Sequence, residues 1–283
     1  MSDVRRGIYI LPNLFTTASL FCGFYAIIEA LRLSVLQGTN YDKCAMAIVI
    51  AAFFDGMDGR VARKTGTASR FGVEFDSLCD LVSFGVAPAV VVWLWALQDF
   101  ERWGWFAAFI YLACGALRLA RFNVQATSLE KQYFQGLPIP MAALMVAGSI
   151  LIWEGGAPRA IQGLSALDVR FIIMLLVALL ALLMVSTIPY RSFKTLHLTR
   201  RVPFYFLFLI LLGFVLWASR PKWVIYLLGC AYVLSGPIEK YVLTPPVRAY
   251  QKVKKLRRRA TDFVPKESNP NQNEENVTPL RRP

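Results

Sequence analysis

The sequence holds a single histidine among 283 residues, no cysteines in CxxC spacing, and only 18 acidic residues against 31 lysines and arginines. Each shortage excludes something. Without a histidine cluster or paired thiols, a zinc centre has no ligand set. The five cysteines, Cys22, Cys44, Cys79, Cys114 and Cys230, lie in or beside apolar segments and read as small buried hydrophobes, not a disulfide framework. Charged residues reach only 17%, where a soluble globular chain carries about 25%. That is too little polar surface for a water-soluble protein of this size. What is plentiful is apolar: 56% of residues are hydrophobic and mean hydropathy is +0.47. The composition describes an all-α polytopic membrane protein.

A net charge of +13 invites a nucleic-acid reading. The aromatic residues argue against it, because many sit in apolar runs such as VVVWLWAL and PFYFLFLILLGFVLW, where bases cannot reach. No nucleic-acid partner is expected. The charge fits membrane orientation and attraction to anionic lipid headgroups.

About 20 mostly apolar residues are needed to cross a bilayer as a helix. Eight segments are candidates, near 9–31, 44–59, 78–97, 103–118, 137–153, 169–189, 203–219 and 223–243. With alternate connections on alternate sides, 24 of the 31 lysines and arginines fall on one face and seven on the other. The positive-inside rule then makes both termini cytoplasmic. Arg5 and Arg6 precede a long apolar run, but no small-residue cleavage site follows, so the first helix is expected to stay. Residues 1–243 form the expected transmembrane catalytic domain. Residues 244–283 form a tail, first basic and suited to anionic lipid, then polar and disordered. No repeat of fixed period marks the chain as an inverted-repeat transporter.

Acidic residues are scarce yet clustered: five of the 18 lie in DGMDGRVARKTGTASRFGVEFDSLCD, from Asp55 to Asp80. Asp55 and Asp58 are three apart, Asp76 and Asp80 four apart, so each pair shares a helical face. Antiparallel helices joined near Lys64–Ser69 would let all four carboxylates converge. Four such charges near a membrane edge need a cation, and oxygen-only ligands favour Mg²⁺ or Mn²⁺, with Ca²⁺ an alternative. Gly59 and Gly72 open room for a ligand or a neighbouring backbone. Arg63 offers a planar fork for phosphate. Together these describe a pyrophosphate site.

The spacing D-x2-D-G-x2-A-R-x8-G-x3-D-x3-D is matched by Asp55, Asp58, Gly59, Ala62, Arg63, Gly72, Asp76 and Asp80 without departure. It resembles the CDP-alcohol phosphatidyltransferase family, membrane enzymes that move a phosphatidyl or similar group from a CDP-linked lipid to an alcohol. LPNLFTTASLFCGF, SLCDLVSFGVAP, ALRLARFN, FQGLPIP and LMVSTIPYRSFK are similar to the members that use serine as the alcohol. The resemblance implies a CDP-alcohol phosphotransferase core that converts CDP-diacylglycerol and L-serine into phosphatidylserine and CMP. It also implies a homodimer among membrane lipids; the charge count puts the acidic motif, like the termini, on the cytoplasmic side, and a bacterial-type inner membrane is the expected location.

By the same resemblance Asp55, Asp58 and Asp76 hold metal, two ions in all, while Asp80 holds metal and takes the serine proton. Gly59, Ala62, Arg63, Ser69 and Gly72 line the CDP-diacylglycerol pocket. Asn13 and Thr16 are further contacts, unless they are an ordinary helix start. A zwitterionic acceptor needs a cation for its carboxylate. Arg118 and Arg121 are the first choice because LRLARF continues an apolar helix; Arg191 and Lys194 are the rivals, and all four could instead be interfacial anchors. His197 reads as interfacial, and FQGLPIP as the entry to the fifth span. Three alternatives stay open: another acceptor such as inositol phosphate or glycerol phosphate, a cation transporter, and a lipid-binding scaffold without turnover. A transporter would spread its acids over several spans near mid-membrane, whereas these cluster at one edge.

Overall fold

The computed structural model describes residues 2–65, 70–125, 134–154, 165–190 and 221–240, with side chains left undescribed at 2–12, 62–65 and a few element ends. The chain divides into two units, Met1–Ile238 and Glu239–Pro283; of the second, only Glu239 and Lys240 are described. Among the described residues the regular structure of the first unit is helical, apart from a two-residue antiparallel ladder. Helix α1 spans Ser2–Val35 and α2 spans Asp42–Thr65. A continuous helical path follows: α3 (Arg70–Asp80), a π-helical turn (Leu81–Val86), α4 (Ala87–Val92), a second π turn (Trp93–Leu97) and a 3₁₀ turn (Gln98–Phe100). The chain reverses at Glu101, whose φ is 46°, into α5 (Glu101–Gln125). Then come β1 (Phe134–Gln135), α6 (Ile139–Glu154), α7 (Ala166–Val185), β2 (Pro189–Tyr190) and α8 (Pro221–Ile238).

Among the described residues three stretches are long and apolar enough to cross a membrane: Asn13–Val35, Phe71–Val124, which contains the reversal, and Leu167–Val185. Ile139–Trp153 and Lys222–Ile238 are shorter apolar helices. The expected second span, 44–59, lies within α2, which is not among the three; 203–219 falls outside the described residues. The first helix also starts earlier than expected, so Asn13 and Thr16 sit inside α1 and not at its start.

Small side chains bring α1 and α2 together. Ala26 and Ala30 on one helix, and Cys44, Ala45, Ile48 and Ala51 on the other, are wholly buried, as expected where helices associate by close packing in lipid. Large apolar residues such as Phe21, Phe24, Phe53, Phe109, Leu179 and Leu182 point outward. That inverted surface suits a hydrocarbon solvent. Glu29, buried within α1, is neutralised by a forked pair with Arg32 at 2.7 and 2.8 Å. All five cysteines are free.

Two glycines allow close approaches, one beside the turn after Asp80 and one at the end of α7. A Cβ on Gly23 would come within 2.6 Å of Ser83 Cα, so its absence lets α1 press onto the π turn that follows Asp80. Ser83 Oγ seals that contact by donating to the Ser19 carbonyl at 3.1 Å. Gly136, with φ of +84°, sits where a Cβ would be 2.2 Å from the Met184 carbonyl oxygen. Its amide donates to the Ile188 carbonyl at 2.9 Å, pinning the FQG segment onto the end of α7.

Candidate active site

The acidic centre forms where α2, α3 and α5 approach one another. Asp55, near the middle of α2, and Asp76 and Asp80, one turn apart on α3, each offer a carboxylate oxygen, and these oxygens lie within 4.8 Å of one another. Asp55 and Asp80 are in hydrogen-bonding contact. Asp80 is the last residue of α3, and the π turn begins immediately after it. Such turns change which way successive side chains face and recur at functional sites.

Asp58 is differently placed. It is buried, and its Oδ2 accepts a 2.9 Å hydrogen bond from Thr16 Oγ1 on α1. It stands outside the group of three whose oxygens converge, though close enough to interact electrostatically with each of them. Thr16 therefore supports a member of the motif from behind. Asn13 contributes its backbone carbonyl to Thr17 Oγ1 at 2.7 Å.

The triad passes a test for a hard cation. All three ligands are carboxylate oxygens, and Asp76 Oδ1 is buried with no hydrogen-bond partner among the described residues. A buried acceptor without a donor is costly. A divalent cation satisfies that oxygen and offsets the repulsion of clustered carboxylates at once.

The arginines divide. Arg118 is half-buried on α5 and lies within electrostatic reach of Asp80, Asp55 and Tyr232, and its Nε is buried without a hydrogen-bond partner. A guanidinium held this way is not reaching for headgroups. Arg121 instead donates through Nη1 to the Val185 carbonyl at the end of α7, at 3.5 Å. Gly59 and Gly72 are half-buried on α2 and α3, and Gly56, between the first two aspartates, faces open space. Ala62 and Arg63 continue α2 with side chains not described, while Ser69, Arg191, Lys194 and His197 lie outside the described residues.

Two features escaped the sequence reading. Tyr232 on α8 reaches the neighbourhood of Arg118, its ring 5.6 Å from that of Tyr190, whose hydroxyl donates to the Val233 carbonyl at 3.1 Å. Asn123 on α5 bonds to Ser77 on α3. Tyr232 lies in none of the stretches that carry the resemblance, and although ALRLARFN ends at Asn123 and SLCDLVSFGVAP begins at Ser77, only the fold pairs those two.

An oxygen-only acidic centre carried on apolar helices is the arrangement of a membrane enzyme acting on phosphate esters. The family model described as CDP-alcohol phosphatidyltransferase matches residues 9–235. A Helicobacter pylori (strain J99) protein named CDP-diacylglycerol–serine O-phosphatidyltransferase is 36% identical over 193 residues, covering 66% of this chain and 74% of that one. Proteins of the same name are 40% identical over 156 residues in Mycobacterium leprae, covering 52% of this chain and 49% of that one. In Saccharomyces cerevisiae the figures are 37% over 146 residues, covering 49% and 52%. The chain belongs to the CDP-alcohol phosphatidyltransferase family. It is a membrane transferase of phospholipid synthesis, in a family that uses divalent metal ions.

Proposed function

We propose that the chain transfers the phosphatidyl group of CDP-diacylglycerol to the hydroxyl of L-serine, yielding phosphatidylserine and CMP. The observation that carries this reading is the convergence of Asp55, Asp76 and Asp80 with Arg118 beside them. The names of the relatives support the choice of serine. The serine oxygen attacks the phosphorus that bears the diacylglycerol; the bond from that phosphorus to the bridging oxygen breaks, and CMP departs with the oxygen and the electron pair.

Within this reading Asp55, Asp76 and Asp80 hold the metal, Mg²⁺ or Mn²⁺ and two ions, with Asp58 contributing from its place against Thr16. The bound cation supplies charge stabilisation to the phosphoryl oxygens. Asp80 accepts the serine hydroxyl proton, help that a weak nucleophile needs at neutral pH. Arg118 binds the serine carboxylate, and Arg121 borders the pocket. Gly59, Ala62, Arg63, Ser69 and Gly72 receive the CDP-diacylglycerol pyrophosphate, with Asn13 and Thr16 nearby.

The same reading sets eight spans within residues 1–243, a cytoplasmic tail over 244–283, a homodimer, and both termini and the site at the cytoplasmic face of a bacterial-type inner membrane. The test is metal-dependent release of CMP from CDP-diacylglycerol by purified protein, with L-serine, inositol phosphate or glycerol phosphate as acceptor. Release that requires serine is expected. Release driven by a phosphorylated alcohol and not by serine would replace the acceptor, and no release with any acceptor would overturn the reading. Labelling of single cysteines introduced near Lys64–Ser69 and in the tail should find both regions on one side; opposite accessibility would overturn the eight-span arrangement.

A further inference from the structure

The two helices that carry the site's opposing charges run antiparallel through the reversal at Gln98–Glu101, and hydrogen-bonded links join them on either side of the charges. On the inner side, the wholly buried Tyr111 donates its hydroxyl to the Phe84 carbonyl in the π turn, at 3.1 Å. On the outer side, Asn123 Nδ2 donates to Ser77 Oγ at 3.1 Å and to Glu74 Oε2 at 3.3 Å. The serine hydroxyl donates in turn to the Val73 carbonyl at 3.1 Å, and it lies 3.2 Å from Asn123 Oδ1. Asp80 falls between Ser77 and Phe84 along one helix. Arg118 falls between Tyr111 and Asn123 along the other. The pair of charges is thus bracketed by the two links.

The links differ in durability. The inner one lies in the core, where neighbouring side chains hold it. The outer one joins Glu74 and Ser77 of α3 to the last turn of α5, with Asn123 only half-buried. The last turn of a helix opens more readily than its middle, and the Asn123 bonds hold that turn of α5 against α3 near Arg118. We propose that Asn123 is a positioning residue: through Ser77 it sets the separation between Arg118 and the Asp76–Asp80 turn, and so the fit of an acceptor whose carboxylate and hydroxyl must reach both at once. The inference rests on the proposed acceptor chemistry, in which one end of a small zwitterion meets Arg118 and the other meets Asp80.

The test is a double-mutant cycle of Asn123→Ala and Ser77→Ala, with KM measured separately for acceptor and CDP-diacylglycerol and the thermal midpoint recorded for each variant. The acceptor is whichever alcohol drives CMP release in the wild type, so the loss of serine as substrate would displace that assignment and leave this one testable. A single hydrogen bond corresponds to a factor of about two to ten. Each single variant should raise the acceptor KM by about that factor, with the CDP-diacylglycerol KM and thermal midpoint near wild type. The double variant should be no worse than Asn123→Ala, because Ser77→Ala removes part of the same link. Asn123→Asp can still accept from Ser77 but loses both donors and sets a second carboxylate beside Glu74, so it too should raise the acceptor KM above the wild-type value. An unchanged acceptor KM, additive losses, a wild-type Asn123→Asp enzyme, or losses that follow the thermal midpoint would each overturn the proposal.

Discussion

Thr16 Oγ1 donates a 2.9 Å hydrogen bond to Asp58 Oδ2, tying the first helix to the acidic motif across 42 residues of sequence. Both groups are buried. The bond gives one carboxylate of the motif a fixed orientation, apart from the three whose oxygens converge. Thr16→Val keeps the shape and removes the donor, leaving a buried carboxylate oxygen short of a partner. We expect a loss of about 1–3 kcal/mol in stability, read as a lowered thermal midpoint in detergent, together with weakened metal activation. Wild-type stability and metal dependence would show that the bond does no more than fill space.

Asp80 is assigned work that the other aspartates lack. Asp80→Asn keeps the size and one oxygen but loses the base, so CDP-diacylglycerol binding should persist while turnover falls by about 10²–10⁴-fold. Asp55→Asn and Asp76→Asn should weaken metal binding and turnover together. Equilibrium binding of Mn²⁺ beside CMP release separates the two patterns. Near-normal turnover by Asp80→Asn at saturating metal and serine would remove the base assignment.

The two arginines of LRLARF should behave differently, because Arg118 sits beside the aspartates and Arg121 is occupied with the end of α7. Arg118→Ala should raise the serine KM by about ten- to a hundredfold, the scale of a hydrogen bond to a charged group, with little change for CDP-diacylglycerol. Arg121→Ala should mainly lower stability. Arg118→Lys should rescue poorly, since an ammonium lacks the planar fork that receives a carboxylate. Equal serine KM values in wild type and Arg118→Ala would exclude the assignment.

Gly136 adopts φ of +84°, and a Cβ there would lie 2.2 Å from the Met184 carbonyl oxygen. Gly136→Ala should therefore cost about 1–3 kcal/mol from backbone strain alone, with more from displacement of the α7 end. Thermal unfolding of the purified protein measures it. Because the Arg121 contact lies on the same end of α7, the variant should also disturb the acceptor side more than the CDP-diacylglycerol side.

The sequence by itself determined the helical membrane class, since apolar runs with so little charge can satisfy their backbone in lipid only as helices. It also determined the motif, because spacings of three and four put Asp55 with Asp58, and Asp76 with Asp80, on shared faces whatever the rest of the chain does. It misjudged the start of α1, where Ser2–Val35 runs past the apolar boundary because a helix can continue into polar residues beyond the hydrocarbon. Only the tertiary structure decided that Asp58 turns to Thr16 while Asp55, Asp76 and Asp80 converge, that Arg118 lies beside them while Arg121 reaches the Val185 carbonyl, and that Asn123 meets Ser77. These depend on the rotation and register of one helix against another. Interhelical packing sets both, through close approaches such as Gly23 on Ser83 and through the extra residue that a π turn inserts after Asp80.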